Sequence, residues 1–408
     1  MITTQPKKMN VLENGHVTSP KGFIAGGVHC GIRRKKLDFG WIHSEVPAVA
    51  AGVYTLNAFK AAPLQVTKKS LEKVHKIQTI IVNSGNANSF TGEQGYQDAL
   101  EMQRLSAEKM TVEVDQVAVA STGIIGETLP MDKIRIGIAA MGEENHVAAE
   151  NFEQAILTTD TKTKHVAVEI EIDEKTITIG GAAKGSGMIH PNMATMLGFL
   201  TTDAVVDAVS LQNALRQTID YSFNMITVDG DSSTNDMVLV LANGTQGNEM
   251  LNEQHPQWAE FVEALQFVSQ ELAKKVAKDG EGATKLIEVN TFGAPTEIVA
   301  KQVAKAVISS NLVKTAVYGS DPNWGRIICA VGYSEQPILP NKICVSIGDI
   351  DVVKDGAVVS FMEKEASEYL QNEVVKINID LQNGEFGATA WGCDLTYNYV
   401  RINASYRT

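Results

Sequence analysis

The stretch Lys184-Gly185-Ser186-Gly187-Met188-Ile189-His190-Pro191-Asn192-Met193-Ala194-Thr195-Met196-Leu197 holds the pair best placed to do chemistry, Ala194-Thr195. A threonine hydroxyl is a poor nucleophile and needs a base beside it. Cleavage of the bond before Thr195 releases an α-amine with an ordinary pKa of about 7.7–8.0. That amine stands next to its own Oγ and can take the hydroxyl proton, directly or through a water. Cutting the chain therefore creates the base. The small Ala194 and the glycines upstream let the Ala194 carbonyl bend into the path of attack. The same pair at the start of an ordinary strand does nothing, and the residues alone leave both readings open.

Other chemistries lack their signatures. There is no G-x-S-x-G nucleophile elbow and no H-E-x-x-H metal helix. Gly185-Ser186-Gly187 lacks the third glycine of a dinucleotide loop, and Lys184 precedes its glycines instead of following them as in a phosphate loop. Cys30, Cys329, Cys344 and Cys393 form no C-x-x-C pair and read as buried, reduced thiols. No metal site is expected. His190 reads as a loop histidine making a structural hydrogen bond. Asp229-Gly230-Asp231-Ser232-Ser233-Thr234-Asn235-Asp236 lacks the spacing and closing glutamate of a calcium loop and reads as a structural turn at the edge of the site.

The elements that must position these residues alternate between strand and helix patterns. Gln78–Val82 is a buried strand running into the polar turn Asn83–Asn88, and Val117–Ala120 is a second strand ending at Ser121-Thr122-Gly123. His165–Ile179 reads as a hairpin turning at Asp173-Glu174-Lys175. Phe261, Leu265, Val268, Leu272 and Val276 fall on one face of a helix over Glu260–Lys278, stopped by Asp279-Gly280. Val209–Ile226 and Thr296–Ser309 read as helices too. Gly180–Met188 reads as a small-residue loop with one lysine, followed by the strand-like Ala194–Leu200. No linker or internal repeat divides the chain.

The 408 residues carry 35 Lys+Arg against 48 Asp+Glu, a net charge of −13, which argues against nucleic acid as a partner. With 44% apolar residues the chain can bury a sizeable core. It has no run approaching the ~18 apolar residues of a membrane helix, and Met1–Lys8 lacks the apolar core of a secretory signal, so the expectation is a cytoplasmic protein with no membrane partner.

The segment Lys184–Leu197 closely resembles the self-cleavage segment of the glutamate N-acetyltransferase / ornithine acetyltransferase family. Other blocks resemble the same family in the same order: Ala61-Ala62-Pro63, Asn83–Asn88, Ser121–Gly126, Thr158–Thr161, Asp229–Asp236, Asp279–Lys285 and Gly319–Arg326. The resemblance covers nearly the whole chain. It implies an α/β fold, a layered αββα sandwich of the ornithine acetyltransferase / DmpA-like type, with helices outside two stacked sheets. It also implies that the precursor cuts itself between Ala194 and Thr195. Residues 1–194 would form an alpha chain, and 195–408 a beta chain headed by the nucleophile. The two would stay interleaved as one unit, two of each forming a heterotetramer.

Residue by residue, the resemblance assigns Thr195 as nucleophile, with the Thr122 hydroxyl and the Gly123 N–H as oxyanion hole. It places substrate on Thr158, Lys184, Thr195, Glu281, Asn403 and Thr408. Lys184 suits a substrate carboxylate, and Glu281 could pair with the side-chain ammonium of acetylornithine. Asn403 and Thr408 lie where a chain end would fray unless it is docked. The implied reaction moves acetyl from N2-acetylornithine to glutamate through acetyl-Thr195, in arginine biosynthesis. No bound cofactor is implied, and acetyl-CoA is a co-substrate in some members. A monofunctional ornithine acetyltransferase, an amidohydrolase on the same scaffold and a non-catalytic binding protein are the alternatives.

Overall fold

The computed structural model describes residues 9–190 and 196–405. Ala194, Thr195 and Thr408 lie outside the described residues. Within them the strands form two sheets, of nine and seven strands. The larger contains β1 (Asn10–Leu12), β2 (Phe23–Val28), β3 (Phe39–Tyr54), β4 (Lys76–Asn86), β5 (Val117–Ile124), β6 (Lys164–Ile172), β7 (Lys175–Lys184) and β8 (Leu197–Thr202). After β9 (Ile226–Thr227), which joins the other sheet, β10 (Met237–Ala242) completes it in the order β1-β6-β7-β8-β10-β3-β4-β5, with β2 on β3.

The long strand β3 belongs to both arms of this sheet. Phe39–His43 pairs with β4, while Val49–Tyr54 pairs with β10, and the register shifts between His43 and Ala48. Pro47 falls in that irregularity, where no ladder bond is lost. Side chains alternate between faces along a strand, and the two arms show it. Leu239 and Leu241 of β10 share a core with Ile80 and Val82 of β4 and Ala118 and Ala120 of β5. Val238 and Val240 face the opposite way, onto α5 (Ala208–Asp220) and α6 (Trp258–Lys278). Ile81, Val117 and Val119 face α1 (Ala62–Val74), α2 (Gly92–Met110) and α3 (Met131–Ala139). The layering is αββα, as the resemblance implied, but the two stacked layers are arms of one continuous sheet.

Helix α6 reaches from this sandwich to the second sheet. Leu265, Val268, Leu272 and Val276 are fully buried, and each such side chain contributes about 1.5–3 kcal/mol of burial. The second sheet includes the strands Leu286–Ala294, Val374–Asp380 and Phe386–Cys393. The helix Glu297–Ser309, capped by the Thr296 hydroxyl on Val299 N, packs against it. Among the described residues no helix is long and apolar enough to cross a membrane.

Three local expectations need correction. The helix read over Val209–Ile226 ends at Asp220, because Ile226 and Thr227 are taken as β9 by pairing with Trp391 and Gly392. The loop read over Gly180–Met188 is strand as far as Lys184. Its glycines serve close packing: a Cβ on Gly180 would stand 2.3 Å from His16 O, and one on Gly181 would stand 2.8 Å from Leu200 and Leu272 side-chain atoms. The thiols are all free, but only Cys30 and Cys393 are buried; Cys329 is exposed and Cys344 half-buried.

Candidate active site

Three strand ends meet at one point. In the antiparallel pair β7–β8, Lys184 stands opposite Leu197, and in the parallel pair β8–β10, Met237 stands opposite the same residue. The chain therefore enters β8 at Met196 with Gly185 on one side and Asp236 on the other. Met237 N donates to Met196 O at 2.9 Å. A cleft of about 220 Å³ opens here. Thr122, Gly123, Thr158, Lys184, Glu281 and Asn403 all line it, as do Met196 and Leu197. Every predicted site residue within the described part of the chain thus reaches one cavity.

Lys184 is its hub. The side chain is buried, and Nζ donates to Thr158 Oγ1 at 2.9 Å and to Thr122 Oγ1 at 3.3 Å. Asp160 Oδ2 lies 3.9 Å from the same nitrogen. Burial pushes the Lys184 ammonium below its ordinary value, against the pull of Asp160. Asp160 sits in turn on Lys164, whose Nζ reaches both Asp160 Oδ1 and Asp279 Oδ2 at 2.7 Å. Burial alone would raise the Asp160 pKa, but the charges of Lys184 and Lys164 outweigh it and hold the carboxyl well below the usual range. Asp160 also accepts from Gly185 N at 2.7 Å and Thr158 N at 3.0 Å. One buried carboxylate thereby fixes both backbone segments that present Thr158 and Lys184.

Thr122 and Gly123 follow the buried part of β5. Gly123 has φ +138°, and a Cβ there would lie 2.3 Å from the carbonyl carbon of Gly85. Only glycine permits this approach of β5 to β4. Asn235 ties the turn down, its Nδ2 donating to Ala87 O at 2.6 Å and Ser121 O at 2.8 Å.

The far wall comes from the C-terminal half. Glu281 is buried and its Oε2 accepts from Asn403 Nδ2 at 2.7 Å. Asn403 ends the helix Tyr397–Asn403, capped by Thr396, whose hydroxyl also donates to Gly282 O at 2.7 Å. Asn403 is thus docked, as a binding role requires. Asp229 accepts from Met188 N at 2.7 Å and Ile189 N at 2.8 Å, and His190 Nδ1 meets Thr227 Oγ1 at 3.1 Å, the structural bond expected of it.

Sequence reading missed Asp160, Lys164 and Asp236. The first two are an acid and a lysine four residues apart after a helix, a spacing too common to stand out. Asp229 holds a structural turn, as expected of the Asp229–Asp236 block, and Asp229, Asp231, Ser233, Asn235 and Asp236 also line the cleft. Two groupings outside the cleft could hold a cation, His16–Glu153–His165 and Asp173–Glu249–His255. In the former, each Glu153 oxygen is already 2.7 Å from one ring Nδ1.

A family model described as the ArgJ family matches residues 24–408. The chain belongs to the ArgJ family. It is 64% identical over 408 residues to an arginine biosynthesis bifunctional protein of Oceanobacillus iheyensis, covering 100% of both chains. It is 56% identical over 401 residues to the protein of the same name from Staphylococcus saprophyticus, covering 98% of this chain and 97% of that one. The crystal structure of the Bacillus halodurans arginine biosynthesis bifunctional protein is similar at 53% identity and a TM-score of 0.51. That match covers 52% of this chain and 100% of the other. Of the matching blocks, Asn83–Asn88, Ser121–Gly126, Thr158–Thr161, Asp229–Asp236 and Asp279–Lys285 each contribute residues to this cleft, whereas Ala61–Pro63 and Gly319–Arg326 do not line it.

Proposed function

We propose that the cleft transfers acetyl from N2-acetylornithine to glutamate through an ester on Thr195, as a step of arginine biosynthesis. Acetyl-CoA serves as a second donor, making N-acetylglutamate. Full-length similarity to relatives named bifunctional arginine biosynthesis proteins supports both activities. The observation that carries the site reading is Lys184 Nζ held between the Thr122 and Thr158 hydroxyls beside the start of β8.

Self-cleavage comes first. Thr195 Oγ attacks the Ala194 carbonyl, the resulting ester is hydrolysed, and residues 1–194 and 195–408 remain interleaved. The structure favours interleaving, because β8 lies between β7 and β10 in one sheet and cannot leave without breaking both ladders. The Bacillus halodurans chain, matched in full over about half of this one, has the length that one fragment would have.

Each acyl transfer then passes through a tetrahedral oxyanion. Thr122 Oγ accepts from Lys184, which leaves its own O–H to donate to that oxyanion beside the Gly123 N–H. Lys184 and Thr158 face the α-carboxylate shared by ornithine and glutamate. Glu281, with Asn403 on one oxygen, takes the ornithine side-chain ammonium. Thr408 is assigned to substrate binding by the family resemblance alone. The site uses no bound cofactor or metal in this scheme. Two cleaved units pair as a heterotetramer, in the cytoplasm.

Intact mass and a paired assay test the reading. The expected result is two fragments cut before Thr195, with acetylornithine and acetyl-CoA each acetylating glutamate. Acetylornithine consumed equally fast without glutamate would identify a hydrolase instead. Thr195→Ala should remain one uncut, inactive chain; a cut Thr195→Ala variant refutes the assignment.

A further inference from the structure

A second depression adjoins the cleft, a groove of about 850 Å³ between the loop before α1 and the start of α2. Phe59, Phe90 and Tyr96 give it aromatic surface, and Lys60, Lys68 and Lys69 give it positive charge. Phe59 is 63% exposed and Phe90 75%, their rings edge to face at 5.7 Å. Phe90 also has φ +57°, a left-handed backbone that a bulky side chain adopts only at a cost. The chain thus accepts strain to hold an aromatic ring in water, where it serves no core. Strain of this kind collects at ligand clamps. Lys69 Nζ stands 4.7 Å from the Tyr96 ring centroid and donates to its hydroxyl at 2.8 Å. Glu72 and Glu93 line the groove too. Glu72 lies 3.7 Å from Lys68, and Glu93 accepts from Gln97 at 2.7 Å. Lys60 and Lys69 therefore keep positive charge with no acidic partner among the described residues.

Groove and cleft share backbone. Ala87 lines the cleft and Phe90 the groove, three residues that span at most ~11 Å. Gly126 N donates to Ser89 O at 2.9 Å, next to Ile125 of the cleft. Asn57 Nδ2 donates to Ser232 O at 3.1 Å and Ala61 N to Thr234 O at 3.0 Å, on either side of Ser233, which lines the cleft.

We propose that this groove holds the phosphoadenosine end of acetyl-CoA while the pantetheine arm carries the acetyl group into the cleft. The inference rests on acetyl-CoA being a donor, as proposed above. The cleft, at about 220 Å³, is smaller than the roughly 300–1,000 Å³ of pockets that enclose larger ligands, so an acyl-CoA must extend out of it. The groove lies within that range. Adenine offers a flat π-face to the exposed rings, and such stacking needs no hydrogen-bond readout. The 3′-phosphate and the diphosphate attract the three lysines, which act as flexible point charges. N2-acetylornithine carries neither base nor phosphate and gains nothing from the groove. Both donors thus bring the same acetyl group to one cleft, but only the thioester reaches beyond it.

Steady-state kinetics of wild type, Phe90→Ala and Lys60→Gln/Lys69→Gln test this, with glutamate as acceptor and acetyl-CoA or acetylornithine as donor. Both variants should raise the KM for acetyl-CoA, Phe90→Ala by about tenfold, the worth of one stacked base, and leave the KM for acetylornithine unchanged. Adenosine 3′,5′-bisphosphate should compete with acetyl-CoA and not with acetylornithine. Added salt should weaken acetyl-CoA use more in wild type than in the lysine variant. An unchanged KM for acetyl-CoA in both variants overturns the proposal, as does an equal rise for both donors. Variants that change only the sedimentation of the assembly mark the groove as a contact with a second copy and overturn it too. A wild type that transfers from acetylornithine but never from acetyl-CoA refutes the second donor itself, and this proposal with it.

Discussion

Asn403 Nδ2 donates to Glu281 Oε2 at 2.7 Å, joining two residues 122 positions apart across the mouth of the cleft. The bond makes the C-terminal helix part of the site wall and gives the tail a defined task.

Deleting Asn403–Thr408 should therefore abolish acetyl transfer while self-cleavage survives, because Asn403 meets Glu281 on the far wall of the cleft. Asn403→Ala should raise the KM for acetylornithine about tenfold, the equivalent of one lost charge-assisted hydrogen bond of ~1.5 kcal/mol. Gels of the precursor and steady-state kinetics of the truncated protein check both points. An active truncated enzyme would contradict the role of the tail.

Thr122→Val keeps the shape of the side chain and removes its hydroxyl. Loss of one oxyanion donor costs about 3 kcal/mol of barrier. The turnover number should fall roughly 10²–10³-fold with little change in KM. Pre-steady-state measurement of acetyl-enzyme formation locates the loss in the chemical step.

Lys164 is 1% exposed and joins Asp160 to Asp279. Lys164→Met leaves the buried Asp160 and the partly buried Asp279 short of a cation and should destabilise the protein by about 3–5 kcal/mol, read by denaturant unfolding. The sign with pH follows from Asp160, whose pKa is depressed in the folded state. Its stabilising contribution is complete well above the unfolded value of about 3.9. It is lost progressively as pH falls below that value towards the folded pKa. Wild type and Lys164→Met should accordingly converge in stability in acid.

Asp236 behaves in the opposite sense. Its folded pKa is raised by burial, so the folded state holds a proton that the unfolded state has lost once pH exceeds about 3.9. Stability therefore declines with rising pH until the folded carboxyl also ionises. Asp236→Asn removes that penalty and should melt at a higher temperature than wild type at neutral and alkaline pH. Melting curves at pH 5 and pH 8 test this; an equal melting temperature at both would show that Asp236 is not buried uncharged.

Much of the scaffold was legible along the chain because its causes are local. Helix α6 follows from five apolar residues at helical spacing, and the β6–β7 hairpin from alternation around Asp173-Glu174. Where non-local pairing competes, local reading failed. Ile226-Thr227 continues a helical pattern yet pairs with Trp391-Gly392, and Gly180-Gly181 looks like a flexible loop yet packs tightly within β7.

By itself, the sequence determined the element types, the Ala194-Thr195 junction and the resemblance that named Thr122, Thr158, Lys184, Glu281 and Asn403. Only the tertiary structure decided that these residues share one cleft, that Asp160 and Lys164 brace it, and that Asp236 lines it with an Oδ2 that has no hydrogen-bond partner among the described residues. The physical reason is that contact and desolvation depend on which strands become neighbours. Spacing along the chain carries no record of the 4.8 Å or so that separates adjacent strands once the sheet has formed.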